Sequence, residues 1–307
     1  MLLTTEEILK FVKDQGIAMV DFKVIDLIGR WHHVTIPASQ LSESTFTNGI
    51  GIDGSSYAGY KKVASGDMKI IPDGSTCILD PFSEFKTLSI MCDIFESDGT
   101  AYLRYPRNVS RRAEAYMAST QKGTALFSPE LEFYIFDEIR YASEVNEAFY
   151  YVDAAEAFWN SGKQGSNLGY KFPPEGGYHG VLPADTTFNL RAKMVKLIEE
   201  AGIPIKYHHH EVGSAAQVEI ELLHDTLLKS ADAVMLMKYI IKNVANQSGK
   251  VVTFMPKPLY GEAGNGMHVH QYLSDGEISL FYDQDGYAGL GQLALNYIGG
   301  LLSHGPA

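Results

Sequence analysis

Thiols, long apolar runs and basic clusters are all scarce in this chain of 307 residues, and each scarcity excludes something. Two cysteines cannot make a disulfide framework at this length. Cys77 and Cys92 both sit in apolar segments, as small core residues do. This usage fits a reducing compartment, so the expected location is cytoplasmic. The most apolar helical stretch, residues 231–245, is interrupted by Asp232, Lys238 and Lys242, and so reads as a buried helix and not a membrane span. The opening MLLTTEEILKFVKDQG lacks a basic segment followed by an apolar run, so it is not a secretory signal. No Lys/Arg cluster exceeds a pair, and 25 basic against 37 acidic side chains give a net charge of −12. A nucleic-acid-binding surface, which needs a basic patch, is not expected. An acidic protein can still take ATP where metal ions neutralise the phosphates. There is no internal repeat and no low-complexity tract.

What is present is an ordinary globular composition, 45% hydrophobic and 20% charged, long enough for two domains or one large one. Thr4-x-x-Glu7 is a capping-box pattern followed by Ile8, Phe11 and Val12 at helical spacing. Residues 17–25 and 31–36 read as a hairpin, residues 48–56 as a Gly/Ser/Asp-rich loop, and residues 76–79 and 88–95 as strands. One helix with several strands in about a hundred residues predicts a small α+β domain over 1–104, with a boundary at Arg104-Tyr-Pro-Arg107. The remainder, 105–307, begins with a helix at 109–119 and a strand at 125–139. Residues 141–183 read as a long irregular stretch, a length that usually signals function. Asp185 is placed as the cap of a helix ending at Gly202. Strands at 203–211 and 217–223, a helix at 225–246, strands at 251–255 and 267–273 and a last helix from 287 complete the pattern.

Four strand segments place acids or imidazoles at strand spacing, where side chains two apart share a face. Glu130 and Glu132 lie on the first, His209 and Glu211 on the second, Glu219 and Glu221 on the third, and His268 and His270 on the fourth. As neighbours in one sheet they would converge into an oxygen-rich site for hard divalent cations. Imidazole suits Mn²⁺ better than Mg²⁺, and zinc would favour thiolates, none of which is near. Spacing does not choose between Glu219 and Glu221. In His208-His-His210, consecutive strand residues alternate faces, so one imidazole belongs to the core. Asp53-Gly-Ser-Ser56 reads equally as a simple turn or a functional loop.

These residues fall in ordered motifs over the whole chain: Gly29-Arg-Trp-His-His-Val-Thr-Ile-Pro37, Asp53-Gly-Ser-Ser56, Asp67-Met68, Pro72-Asp-Gly-Ser-Thr76, Asp80-Pro81, Pro129-Glu-Leu-Glu132, Gly176-Gly-Tyr178, His208-His-His-Glu-Val212 with Gln217-x-Glu219, and Gly264-Asn-Gly-Met-His-x-His270. In them the chain resembles the type I glutamine synthetase family. The resemblance implies an N-terminal β-grasp domain and an α+β catalytic domain built on a curved antiparallel sheet or partial barrel with flanking helices. It implies two Mg²⁺ or Mn²⁺ ions per site, with ATP as co-substrate. Glu132, Glu211 and Glu219 match ligands of a glutamate-side ion, and Glu130 and His268 match ligands of an ATP-side ion. Glu132, His268 and Gly264 also border the substrate. His270, Lys206 and Tyr272 fall at the nucleotide. Asp53 matches the carboxylate that takes a proton from ammonium, and Tyr178 a tyrosine beside it. The implied reaction joins ammonia to the γ-carboxylate of L-glutamate through γ-glutamyl phosphate. The implied assembly is a homo-oligomer, a dodecamer in the full-length family, with sites between adjacent subunits. Ala263, Tyr272 and His224 depart from the family pattern and bear on amine or nucleotide choice. The family also continues past Ala307, with a further metal-binding glutamate and substrate arginines, so the chain is expected to be truncated at its C-terminus. Two other readings stand beside this one: a γ-glutamyl ligase for methylamine or a polyamine, and an inactive fragment that only binds metal and assembles.

Overall fold

The computed structural model describes residues 4–120, 123–164 and 167–306. It divides into two compact units, Met1–Tyr116 and Met117–Ala307.

The first unit opens with α1 (Thr5–Asp14), started by a true capping box: Thr4 Oγ1 accepts from the Glu7 amide while the Glu7 carboxylate accepts from the Thr4 amide. There follow β1 (Met19–Ile25), β2 (Trp31–Pro37), α2 (Glu43–Thr47), β3 (Ile50–Asp53), β4 (Asp67–Pro72), β5 (Ile78–Leu79), β6 (Thr87–Glu96) and α3 (Pro106–Thr120), in which the division falls. The sheet order is β2-β1-β6-β4-β3, with β5 also on β6. β1 and β6 run parallel at its centre and the other pairs are antiparallel. This mixed sheet is a β-grasp arrangement. Val20, Phe22 and Val24 of β1 and Leu88, Ile90, Cys92 and Ile94 of β6 are buried. Each contributes roughly 2 kcal/mol of apolar burial.

Three expectations need correcting here. The loop at 48–56 contains β3, whose Asp53 pairs with Asp67. The glycines hid it: Gly49, just ahead of the strand, is fixed both by its left-handed backbone (φ +76°) and by the Ile70 carbonyl, which a Cβ would approach to 2.4 Å. The helix placed at 109–119 begins earlier, at Pro106, a residue suited to a first helical position. Only Cys92 is fully buried; Cys77 is half-buried.

The second unit contains β7 (Thr124–Phe136), β8 (Glu138–Ser143), β9 (Ala148–Asp153), α4 (Phe188–Glu200), β10 (Ile205–His210), β11 (Gln217–Leu222), β12 (Asp225–Thr226), α5 (Leu227–Gln247), β13 (Val251–Thr253), β14 (Val269–Asp275), β15 (Ile278–Ser279) and α6 (Gln292–His304). β7 is its axis. The sheet runs β10-β11-β7-β14-β15, and β12 and β13 also pair with β7. Leu131, Phe133 and Ile135 are buried on the apolar side of β7, and α5 packs on that strand with Leu236, Met237, Ile240, Ile241 and Val244 inside. With that face committed to the core, Glu130 and Glu132 must point the other way.

The stretch at 141–183 is less irregular than its sequence suggests, because β8 and β9 form a hairpin closed at Glu144 and Glu147. Asp185 is not a helix cap. It accepts from the Thr187 amide and hydroxyl and grips the buried Arg191 with both oxygens, at 2.9 and 2.7 Å. Among the described residues, no helix is long and apolar enough to cross a membrane.

Candidate metal and nucleotide site

Strand register builds the site. Across β10, β11 and β7, His209 stands opposite Glu219, which stands opposite Glu132. On the next rung of the same face, Tyr207 stands opposite Glu221, which stands opposite Glu130. β14 approaches β7 from its other edge, setting His270 opposite Ser128, and the Glu130 amide donates to the His268 carbonyl. The alternation of four separate segments thus gathers two rows of acids and imidazoles.

The first row centres on His209, Glu211 and Glu219, each offering a ligand atom within 4.8 Å of the others. His209 lies 3.5 Å from Glu219 and 3.6 Å from Glu211. Its hydrogen bond to Glu219 raises the imidazole pKa. Burial, chiefly, raises that of Glu211, and the neighbouring Glu219 and Glu132 charges add to it. Carboxylates pushed together in this way are relieved by a cation. Glu132 stands beside the group, its Oε2 accepting from the Gly266 amide at 2.9 Å. Tyr178 is exposed, stacks on His179 at 4.0 Å and meets His209 edge-on at 5.6 Å, which brings it to this row.

The second row centres on Glu130, Glu221 and His270, again within 4.8 Å. Glu130 is shared: Oε1 lies 2.6 Å from His270 Nε2 and Oε2 lies 2.9 Å from His268 Nδ1. The His268 imidazole is raised by that hydrogen bond. Lys206 donates to Glu221 Oε1 at 2.8 Å. Tyr272 packs edge-on against His224 at 5.1 Å. Glu221 joins this row, whereas its strand-mate Glu219 belongs to the other, so both carboxylates are placed. The donors are carboxylate and imidazole with no thiolate, a set that fits hard divalent cations of the Mg²⁺ and Mn²⁺ type.

Gly264 sits in the loop between β13 and β14, where a Cβ would lie 2.7 Å from the Pro256 carbonyl. Its carbonyl accepts from Gln217, a buried residue that the sequence offers only as part of a motif. The Gln217 amide group donates to the Gly264 carbonyl at 2.9 Å, to Asn265 Oδ1 at 3.1 Å and to Glu132 Oε2 at 3.4 Å, and accepts from the Gly213 amide at 2.8 Å. It ties the loop to the acid row. The signal was present, since Gln217 shares the face of Glu219 and Glu221 at strand spacing. Tyr134, next along the β7 face, anchors the same loop by donating to the Ala263 carbonyl at 2.6 Å.

A third group of possible ligands, Glu156, Asp185 and His210, is fully buried. His210 places Nε2 2.5 Å from Glu156 and Nδ1 2.7 Å from the Glu211 carbonyl, and Glu156 also accepts from Thr186. Glu156 and His210 satisfy each other, Asp185 is taken up by Thr187 and Arg191, and the His210 bond holds the chain at Glu211 in place. His210 is therefore the core imidazole of the triplet.

Asp53 belongs to the first unit. Its carboxylate accepts from the Ser55 amide at 2.9 Å, and bonds from Ser55 and Ser56 hold its pKa below the usual range. A Cβ on Gly66 would lie 2.3 Å from Asp53 Oδ1, so a side chain there would push the carboxylate out of this position.

An α+β chain whose central sheet gathers two rows of carboxylates and imidazoles has the donor set found in divalent-cation-binding proteins. The comparisons with known proteins narrow this. Residues 16–97 match the family model described as the glutamine synthetase beta-Grasp domain, and residues 103–307 match the glutamine synthetase catalytic domain. The chain belongs to the glutamine synthetase family. It is 46% identical to a glutamine synthetase of Frankia alni over 312 residues, covering 100% of this chain and 66% of that protein. It is 46% identical to one of Mycolicibacterium smegmatis over 314 residues, covering 99% and 65%. In fold it is similar to the Plasmodium falciparum glutamine synthetase structure, with a TM-score of 0.90 at 24% identity over 99% of this chain and 60% of that one. The chain therefore spans about two thirds of the length of the curated relatives it matches.

Proposed function

We propose that the protein to which this chain belongs is a cytoplasmic ligase that joins ammonia to the γ-carboxylate of L-glutamate at the expense of ATP. The observation that carries the reading is the adjacency of the two rows, with Glu132 and Glu130 two residues apart on one face of β7. Family membership supplies the chemistry that such a pair serves.

On this reading Glu132, Glu211 and Glu219, with His209, hold a glutamate-side Mg²⁺ or Mn²⁺, and Glu130 and His268 hold a nucleotide-side ion. Bound there, the ions offset charge on the transferring phosphoryl group. The γ-carboxylate, a poor electrophile, is activated as γ-glutamyl phosphate. His270, Lys206 and Tyr272 border the nucleotide. Gly264, held by Gln217, presents backbone to glutamate where a side chain would intrude. Asp53, kept ionised by its serines, takes the proton from ammonium, beside Tyr178. Asp53 would act in the site of a neighbouring subunit of a homo-oligomer, the assembly being a dodecamer in full-length members of the family. The domain boundary proposed is 104/105.

The test is phosphate release by the natural protein with ATP, Mg²⁺ or Mn²⁺ and glutamate, comparing ammonium with methylamine and a polyamine. Release requiring glutamate and ammonium supports the proposal. Release with only a larger amine, or none, refutes it.

A further inference from the structure

Glu221 carries more than its place in a strand requires. Its side chain is fully buried (0% exposed) and its two oxygens are treated unequally. Oε1 accepts from Lys206 Nζ at 2.8 Å. Oε2 is the only buried side-chain oxygen or nitrogen without a hydrogen-bond partner among the described residues. Burial pushes the carboxyl up, but Lys206 and, after it, the nearby Tyr207 hydroxyl outweigh this and hold it below its usual range; neither closes a hydrogen bond on Oε2. A buried carboxylate oxygen left without a partner is costly, so such atoms are rare unless something binds them. Glu221, Glu130 and His270 each offer a ligand atom, and these atoms all lie within 4.8 Å of one another.

We infer that Glu221 is a direct ligand, through Oε2, of a divalent cation that it shares with Glu130 and His270. The inference rests on the proposed nucleotide-side ion and adds to it a carboxylate and a second imidazole. Lys206 keeps Oε1 and stands as the resident cation of the cluster while no metal is bound. Removing it would free negative charge for the metal.

The test counts bound Mn²⁺ by loss of the free-ion electron paramagnetic resonance signal, without ATP or turnover. Glu221→Gln keeps the shape and removes the charge, and should weaken one class of Mn²⁺ site by about tenfold or more while sparing the other. Glu219→Gln should show the opposite selectivity. Lys206→Met provides an independent arm should Glu221→Gln fail to fold: it should bind Mn²⁺ as tightly as the natural protein or more so. If Glu221 were only a salt-bridge partner, Lys206→Met and Glu221→Gln would weaken Mn²⁺ alike, or neither would change it, and the inference would be overturned. A natural protein that binds Mn²⁺ at two classes of site, both unchanged in Glu221→Gln, overturns the inference and leaves the proposed function standing. A natural protein that binds none at these rows overturns both.

Discussion

Gln217→Leu is the perturbation that probes most of the site with one change. The buried amide makes four polar contacts, and leucine of similar volume makes none. The Gly213 amide and the Gly264 carbonyl then lose their partners. An unsatisfied buried group costs about 1–3 kcal/mol; the Gly213 amide, in a buried residue, bears that cost, whereas Gly264 is exposed and its carbonyl can turn to water. Leucine's extra apolar burial offsets part of this, which puts the expected value at about 2 kcal/mol. The assay is denaturant unfolding followed by tryptophan fluorescence, with limited proteolysis as a local readout. Cleavage should begin in residues 256–266, because the loop is released before the sheet unfolds. Glutamate affinity should fall with it, since Gly264 and Glu132 both lose their tie to β11. A loss below 1 kcal/mol with unchanged proteolysis and glutamate binding would refute the reasoning that Gln217 organises the loop.

Three further outcomes follow from the same geometry. Gly177→Ala would place a Cβ 2.5 Å from His210 Cε1 and 2.6 Å from the Glu211 carbonyl, so Glu211 must shift; overpacking of this kind costs about 1–3 kcal/mol, and Mn²⁺ titration should show a weakened glutamate-side ion. Glu132→Ala should weaken the glutamate-side ion more than the nucleotide-side ion, and Glu130→Ala the reverse; equal effects in paired titrations would contradict the division. In the first unit, burial pushes Asp73 up, but hydrogen bonds from Ser75 and Arg107 and the Arg107 charge outweigh it and bring it to about 2. Its folded pKa is depressed, so its contribution to stability is complete above its unfolded value of about 3.9 and is lost as pH falls through about 2. Unfolding measured across that window should steepen in the natural protein and flatten in Asp73→Asn.

The site was legible in the sequence where strand alternation dictates it. Glu130 and Glu132 could be assigned one face because Leu131, Phe133 and Ile135 claim the other. Which carboxylate of Glu219 and Glu221 joined which row could not be read, since both share a face and only inter-strand register separates them. The hairpin at β8 and β9 was missed for a different reason. Tyr141, Phe149 and Tyr150 are all exposed, so no period-2 apolar pattern marks those strands. Asp185 looked like a cap because a short acid ahead of a helix usually is one. Its real partner, Arg191, is the fourth residue of the helix, about one turn in, and is buried, which local sequence does not signal. Gln217 and Glu221 acquire their roles only from partners far along the chain, Gly264 and Glu130.

The central claim is that two cation positions sit on adjacent rungs of one strand. Anomalous diffraction from Mn²⁺-soaked crystals tests it most directly. The account predicts two peaks, one in contact with Glu211, Glu219 and Glu132, the other in contact with Glu130 and the β14 imidazoles. A single peak, or peaks away from both rows, would contradict it.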